Sequence, residues 1–420
     1  MSSWRRLHPS RLRERYSRWV NLGLSADQAT AVWERAPIEL AGRELTRDLA
    51  LTVASAASSS GAEAYISSAS PELSGQNLLL RGSHATLYSL AQHLRGRAVP
   101  ELEQAGQAIQ AALASQATPE SSAMMLRGKE WRWGERTYVM GIFNMTPDSF
   151  SGDGELRPSA EPRDVLEEAL IHALRMVEQG ADIIDIGGES TRPGHQPVDA
   201  ETEAARILPI IRELRTRSDI PISVDTWKAD VAQAALDAGA DVINDITALT
   251  GDEKMADMVA MREAPVVLMH RFVSKAASGD GTRLGGQYRN DEPMTPVQLD
   301  RMVDAVCSGL EEHVAYALHS GIPRERIIID PGIGFGKARE QNLYLVNHLD
   351  ELQSLKLPIL LAASRKAFIG YTLDLPPSER LQGTAAAVCT GILRGADIVR
   401  VHDVEQIKRI TRMTDALVRW

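Results

Sequence analysis

From Thr137 onward, short apolar, β-branched runs alternate with longer stretches whose apolar residues recur every three to four positions. The runs are TYVMGIFN (137–144), ADIIDIGG (181–188), PISVDT (221–226), ADVINDI (240–246), APVVLMH (264–270), RIIIDPG (326–332), PILLAAS (358–364) and ADIVRVH (396–402). Between them the spacing predicts helices such as 162–179, 200–217, 228–238, 298–320 and 379–394. Near-continuous apolar strands followed by helices imply parallel strands buried on both faces. Eight such repeats fit a (β/α)8 TIM barrel over 137–420 better than an open doubly wound sheet.

The chain before residue 120 has a different character, rich in Ala, Ser, Leu and Gln. Helical periodicity runs over about 11–36, 43–58, 85–96 and 100–115, with two strand-like stretches, EAYISSAS (63–70) and QNLLLRGS (76–83), between the second and third. We expect a small α+β domain over 1–120, of unknown role, and a linker over 121–136. The first nineteen residues carry six Arg and one acid, Glu14, and are read as an amphipathic surface helix rather than a transit peptide.

Composition narrows the function. At 420 residues, 44% hydrophobic and 24% charged, the chain has an ordinary globular make-up and length for more than one domain. No apolar run approaches the ~18 residues of a membrane span. A net charge of -10 argues against nucleic acid as a main partner. The two cysteines, Cys307 and Cys389, are far apart, with no CxxC, so neither a disulfide framework nor a cysteine metal site is expected. These features suit a reduced, cytoplasmic location.

Candidate chemistry gathers at the ends of the apolar runs. They finish in Asn144; Asp185 with the stretch GGESTRPG; Asp225; Asn244 and Asp245; His270; Asp330; Ser364–Arg365–Lys366; and Arg400 with His402. In a barrel all of these ends meet on one rim, where active sites are built. A single polar strand end is an ordinary cap or turn former; eight of eight imply a site. Asp225, Asn244 and Asp330 offer directional acceptors and an amide donor, suited to a planar heterocycle bearing N–H groups. Lys366, Arg400 and His402, with Arg192, make a cationic side suited to a phosphorylated group. Asn144 can offer an amide oxygen to Mg²⁺, an ion that typically takes few protein ligands beside substrate phosphates. There is no HExxH, no GxSxG and no Walker A loop, since DPGIGFGK (330–337) lacks that spacing.

The segments NMTPDSF (144–150), IDIGGESTRPG (184–194), SVDT (223–226), VINDI (242–246), DPGIGFGK (330–337), SRK (364–366) and RVHDV (400–404) together resemble dihydropteroate synthase over about 137–420. The resemblance implies a transferase of folate biosynthesis. It would condense 7,8-dihydropterin-6-ylmethyl diphosphate with 4-aminobenzoate, giving 7,8-dihydropteroate and pyrophosphate, and be a target of sulfonamides. It implies pterin binding by Asp225, Asn244, Asp330 and Lys366, and diphosphate and Mg²⁺ handling by Asn144, Arg400 and His402. Thr191, Arg192, Pro193 and Phe335 would serve 4-aminobenzoate, and a homodimer is implied. Loss of Mg-bound pyrophosphate before amine attack is the expected course, with Asp185 and Asp225 favouring the cation left behind.

Three departures from the family pattern stand out: Gly152 before Asp153, Ala367 after SRK, and a long polar stretch over 271–297. A related pterin-dependent methyltransferase and a catalytically silent scaffold barrel are the alternatives. The first would need no diphosphate site. The second would use residues 1–120 as its interaction module, and complementation of a strain lacking dihydropteroate synthase separates it from the enzyme. A pyrophosphokinase fused over 1–120 finds no nucleotide or metal signature there.

Overall fold

The structure is a computed structural model and describes residues 3–7, 38–66, 75–114, 123–145, 162–189, 198–272 and 294–419. The chain divides into two compact units, with the boundary between Thr118 and Pro119.

The first unit is a four-stranded antiparallel sheet of order β1-β2-β4-β3, with β1 Ser3–Leu7, β2 Ile38–Leu45, β3 Glu63–Ile66 and β4 Gln76–Gly82. Its helices are α1 Arg47–Ser59, α2 His84–Arg95 and α3 Pro100–Ala114. Leu40, Leu78 and Leu80 from the sheet meet Val53, Leu87, Leu90, Leu94 and Ile109 from the helices in one core. Two expectations change here. The helix expected over 43–58 begins at Arg47, because Leu45 still pairs with Gln76 and Thr46 caps the helix, its Oγ1 accepting from Leu49 N–H at 3.3 Å. Ser3–Leu7, expected within a surface helix, pairs instead as a strand with Glu39–Arg43. That pairing partner is remote in sequence, so local periodicity carries no sign of it. The helix expected over 11–36 lies wholly outside the described residues.

The second unit is the barrel. Its strands are β7 Tyr138–Asn144, β8 Ile183–Gly187, β9 Ile222–Asp225, β10 Val242–Asp245, β11 Val266–Met269, β12 Ile327–Asp330, β13 Leu360–Leu361 and β14 Ile398–Val401. They pair in parallel in the order β12-β11-β10-β9-β8-β7-β14-β13, and a parallel bridge from Ile329 to Ile359 closes the ring. All eight expected strands are present, and the sheet with its outer helices is a (β/α)8 barrel. The helices that position the site are α4 Pro162–Glu178, α5 Ala200–Arg217, α6 Ala229–Ala238, α7 Met255–Met261 and α8 Pro296–His319. After them come α9 Arg339–Asn347, α10 Ala367–Leu373, α11 Leu381–Leu393 and α12 Val404–Val418. Capping explains their starts: the Asp199 carboxylate accepts from Thr202 N–H at 2.7 Å ahead of α5, and Thr295 with Gln298 forms a capping box ahead of α8.

Residues 123–132, expected as part of a linker, instead form an antiparallel hairpin, β5 Ala123–Leu126 with β6 Lys129–Arg132. Trp131 stacks on Tyr138 at 4.1 Å between centroids, in a cluster with Met140, Ile183, Val242, Val267, Ile328, Leu360 and Ile398. Tyr138, Ile183, Val242, Leu360 and Ile398 each open a strand. The hairpin therefore plugs the N-terminal end of the barrel, and the apolar layer above it forms the floor of the site.

Side chains alternate along a strand with a period of two. Two positions beyond the floor residues Ile183, Val242, Ile328 and Ile398 stand Asp185, Asn244, Asp330 and Arg400. The same alternation lifts Asp225 above Ser223, and the register places Asp225 beside both Gly187 and Asn244. One rule of backbone geometry thus puts the polar set on the inward face, one layer nearer the C-terminal rim.

Candidate active site

Arg400 is the hub of this layer. Its Nε donates to Asp185 Oδ2 at 2.5 Å and its Nη2 to Asp225 Oδ2 at 2.8 Å, while Asn244 Nδ2 donates to the same Asp185 oxygen at 3.1 Å. Asp185 is fully buried and its Oδ1 has no hydrogen-bond partner. Burial pushes the Asp225 carboxyl up to about 7, against the opposing pull of Arg400 and with the help of the nearby Asp185, Glu203 and Asp245 charges. The ionised form is the one that matches its short contact with the guanidinium.

This arrangement refines two expectations. Asp185 does not stand open as a spare negative charge, because Arg400 already compensates it. Arg400, expected on the diphosphate, has two of its donor nitrogens on carboxylates.

Asp330 and Lys366 form the next wall. Burial raises the Asp330 carboxyl, opposed first by Lys366, and its Oδ1 accepts from Gly332 N–H at 2.7 Å. Burial lowers the Lys366 ammonium to about 8, with Asp330 opposing the shift. Lys366 donates to Ile333 O and lies 4.7 Å from the Phe335 ring centroid, so Phe335 stands against the same wall.

The SRK and RVHDV stretches interlock. Ser364 Oγ accepts from His402 N–H at 3.2 Å and lies 3.1 Å from His402 Nδ1. Arg365 sits at φ 55°, and its Nε donates to Asp403 Oδ2 at 3.0 Å. Its N–H reaches Thr384 Oγ1 and its carbonyl accepts from Arg380. Arg365 therefore latches two strand ends together, while the flanking Ser364 and Lys366 serve the layer within. Asn144 ends β7 in register with Gly187.

Thr191, Arg192 and Pro193 lie outside the described residues, as do Gly152, Asp153 and most of 271–297. The two ends of their stretch are described. Glu189 Oε1 accepts from Val198 N–H at 3.2 Å, and Glu189 Oε2 takes Lys228 Nζ at 2.6 Å. Lys228 also pairs with Glu203, which is 1% exposed at the start of α5, and Arg206 donates to Gly188 O at 2.7 Å. The sequence reading missed Lys228, Glu203 and Lys337; the two lysines lie within or next to motifs it had singled out, and only burial distinguishes them from surface lysines.

A divalent ion is tested by the donor set. Among the described residues no group of three or more His, Cys, Asp or Glu could cage a metal. One amide oxygen beside a cationic rim fits an ion carried chiefly by phosphate oxygens, as Mg²⁺ usually is.

The family of pterin binding enzymes matches residues 140–402. A dihydropteroate synthase of Bacillus subtilis is 46% identical over 284 residues, spanning 68% of this chain and 90% of that protein. Among solved structures, a Clostridium difficile dihydropteroate synthase determined in the presence of pteroic acid is 42% identical, with a TM-score of 0.58 over 69% of this chain and 99% of that one. The Xanthomonas albilineans dihydropteroate synthase with 4-aminobenzoic acid is 38% identical, with a TM-score of 0.59 over 71% of this chain and 98% of that one.

Proposed function

The chain belongs to the dihydropteroate synthase family of pterin-binding enzymes, and from that premise we propose how its inner polar layer carries the reaction. The protein condenses 7,8-dihydropterin-6-ylmethyl diphosphate with 4-aminobenzoate, releasing pyrophosphate and 7,8-dihydropteroate. The observation that carries the assignment of residues is the ring of Asp225, Asn244, Asp330 and Lys366 above an apolar floor, with Phe335 beside it. Asp330 would accept from the pterin amino group and adjacent ring N–H, and Asn244 and Asp225 would hold the opposite edge. A protonated Lys366, poised near neutrality, would donate to a ring acceptor.

Arg400 keeps Asp185 and Asp225 neutralised and presents the remainder of its guanidinium to the diphosphate. With Nδ1 on the Ser364 hydroxyl, the Nε2 nitrogen of His402 would carry the donor toward a phosphate oxygen. Asn144 would hold Mg²⁺ together with the diphosphate oxygens, and the ion would supply charge neutralisation to the leaving group. As pyrophosphate departs, positive charge would spread over the reduced pterin, held between Asp330 on one edge and Asp225 on the other. The neutral aromatic amine then attacks the methylene carbon and its surplus proton leaves to water or pyrophosphate. Thr191, Arg192, Pro193 and Phe335 would hold and shield 4-aminobenzoate.

A coupled assay of pyrophosphate release with both substrates tests the reaction, and Asp330→Ala tests the pocket. Losing this buried charged acceptor costs about 1.5–3 kcal/mol, a ten- to hundred-fold loss of affinity for a pterin analogue. Wild-type affinity in calorimetry would remove Asp330 from the site.

A homodimer is part of the same reading, supported by exposed Tyr371, Leu373, Leu393, Met413 and Leu417 on α10 to α12. A reducing, cytoplasmic setting is supported by Cys307 and Cys389, neither of which is in a disulfide. Every chemical candidate lies after residue 137, so the first unit is dispensable for turnover in this reading. The truncation must keep the 123–132 hairpin, because Trp131 is part of the barrel floor. A chain starting at Pro119 should retain turnover and sediment as a dimer. A folded monomer, or a folded chain that binds pterin without turnover, would overturn the corresponding half of this reading.

A further inference from the structure

Lys337 ends the DPGIGFGK stretch and has no part in the reading so far. Its side chain is 1% exposed. Its Nζ donates to Gly332 O at 2.9 Å, His270 O at 3.3 Å and Phe335 O at 3.3 Å, and lies 5.1 Å from the Phe272 ring centroid. An ammonium has three N–H donors, and all three are committed to main chain. Burying a lysine is costly, and an apolar side chain of similar length would fill the space without that cost.

Two links connect this lysine to Asp330. The first is mechanical. Gly332 is held on both sides: its N–H donates to Asp330 Oδ1 at 2.7 Å and its carbonyl accepts from Lys337. The residue sits at φ 67°, and a Cβ there would lie 1.8 Å from His270 O, so only glycine brings these strand ends so close. The second link is charge. Burial drives the Asp330 carboxyl up, and the cations that hold it down are Lys366, the N-cap residue of α10, Lys337 itself and Arg400 of β14. Burial lowers the Lys337 ammonium to about 7, with Asp330 opposing, and holds His270, at the end of β11, far below its usual value and hence neutral.

We propose that Lys337 is a positioning residue for the first substrate, gripping Gly332 to orient the Asp330 carboxylate and lending a charge that keeps it ionised. The inference rests on the reading of Asp330 as the pterin partner. It makes the loop an electrostatic part of the pocket rather than a plain turn.

The direction in pH follows. Asp330 accepts the pterin donors only as a carboxylate, so binding falls as pH drops through its folded pKa. Removing the Lys337 charge raises that pKa, and the acid limb moves to higher pH. The experiment is calorimetry of 6-hydroxymethylpterin from pH 5 to pH 9 on the full chain, comparing wild type, Lys337→Met, Lys337→Gln and Asp330→Asn. Lys337→Met should weaken binding about tenfold or more at neutral pH and shift the acid limb upward. Lys337→Gln, which keeps a donor for Gly332 without the charge, should recover affinity at high pH while keeping the shifted limb. If Lys337→Met does not fold, Lys337→Gln still reads the charge. Folded variants with the wild-type affinity and limb would overturn the proposal. Asp330→Asn separates the two ideas: wild-type binding by that variant would sink the pocket reading itself, whereas its loss beside unaltered Lys337 variants would sink only the role of Lys337.

Discussion

Arg400→Met should lower condensation by about a hundred- to a thousand-fold or more, and should weaken binding of the pterin diphosphate first. The guanidinium spans Asp185 and Asp225 at 2.5 and 2.8 Å inside the barrel. Removing one partner of a buried ionic group typically costs about 3–5 kcal/mol, because the remaining charge has lost both solvent and counter-ion. The same change deprives the leaving pyrophosphate of a cation. Its effect on stability has a sign in pH. The folded-state pKa of Asp225 is already raised above the ordinary 3.8 to about 7, so this group destabilises the fold progressively as pH rises between those values. Without Arg400 the pKa rises further, and the penalty grows and extends to higher pH. Thermal melts of wild type and variant at pH 5 and pH 8 should therefore diverge more at pH 8. Equal differences at both values would mean that Asp225 is not the group Arg400 compensates.

Arg192→Ala should show the opposite profile. Its stretch leaves the barrel after Glu189 and returns at Val198, and these two ends are tied by the Glu189 carboxylate and braced by Lys228 and Glu203. Arg192 itself lies outside the described residues; we propose that it completes a site for the carboxylate-bearing amine after the pterin has bound. Binding of the pterin diphosphate alone should be nearly unchanged. Turnover with 4-aminobenzoate should fall by about a hundred-fold or more, the mark of stabilisation felt after the first substrate is in place. Calorimetry with the pterin diphosphate and steady-state turnover over a range of 4-aminobenzoate separate the two arginines. Identical profiles would end the division of labour, and normal turnover by Arg192→Ala would take this stretch out of the mechanism.

Both results turn on what is local and what is not. The alternation of β8, β10, β12 and β14 was legible residue by residue, because a strand's side chains face one side at every second position whatever surrounds it. Asp185, Asn244, Asp330 and Arg400 consequently fall on one face with Ile183, Val242, Ile328 and Ile398, and a ring of parallel strands turns that face inward. Helix positions followed for the same reason: α5 occupies the expected 200–217, bounded by an Asp199 cap that the sequence displays.

Pairing across long separations was not legible. Ser3–Leu7 becomes a strand only because Glu39–Arg43 offers it an edge, and residues 123–132 become a plug only because Tyr138 presents a ring for Trp131. Asp185, Asp225 and Arg400 stand out as polar strand ends in the sequence, yet the choice of carboxylates as the arginine's partners joins residues 215 and 175 positions apart. Lys337 looks like any surface lysine after a glycine-rich turn. The amino-acid sequence by itself determined the barrel, its inward polar layer and the family, since these depend on periodicity and motif. The tertiary structure decided which charges are buried and which partners compensate them, because desolvation and pairing energies exist only once distant strands have closed the ring.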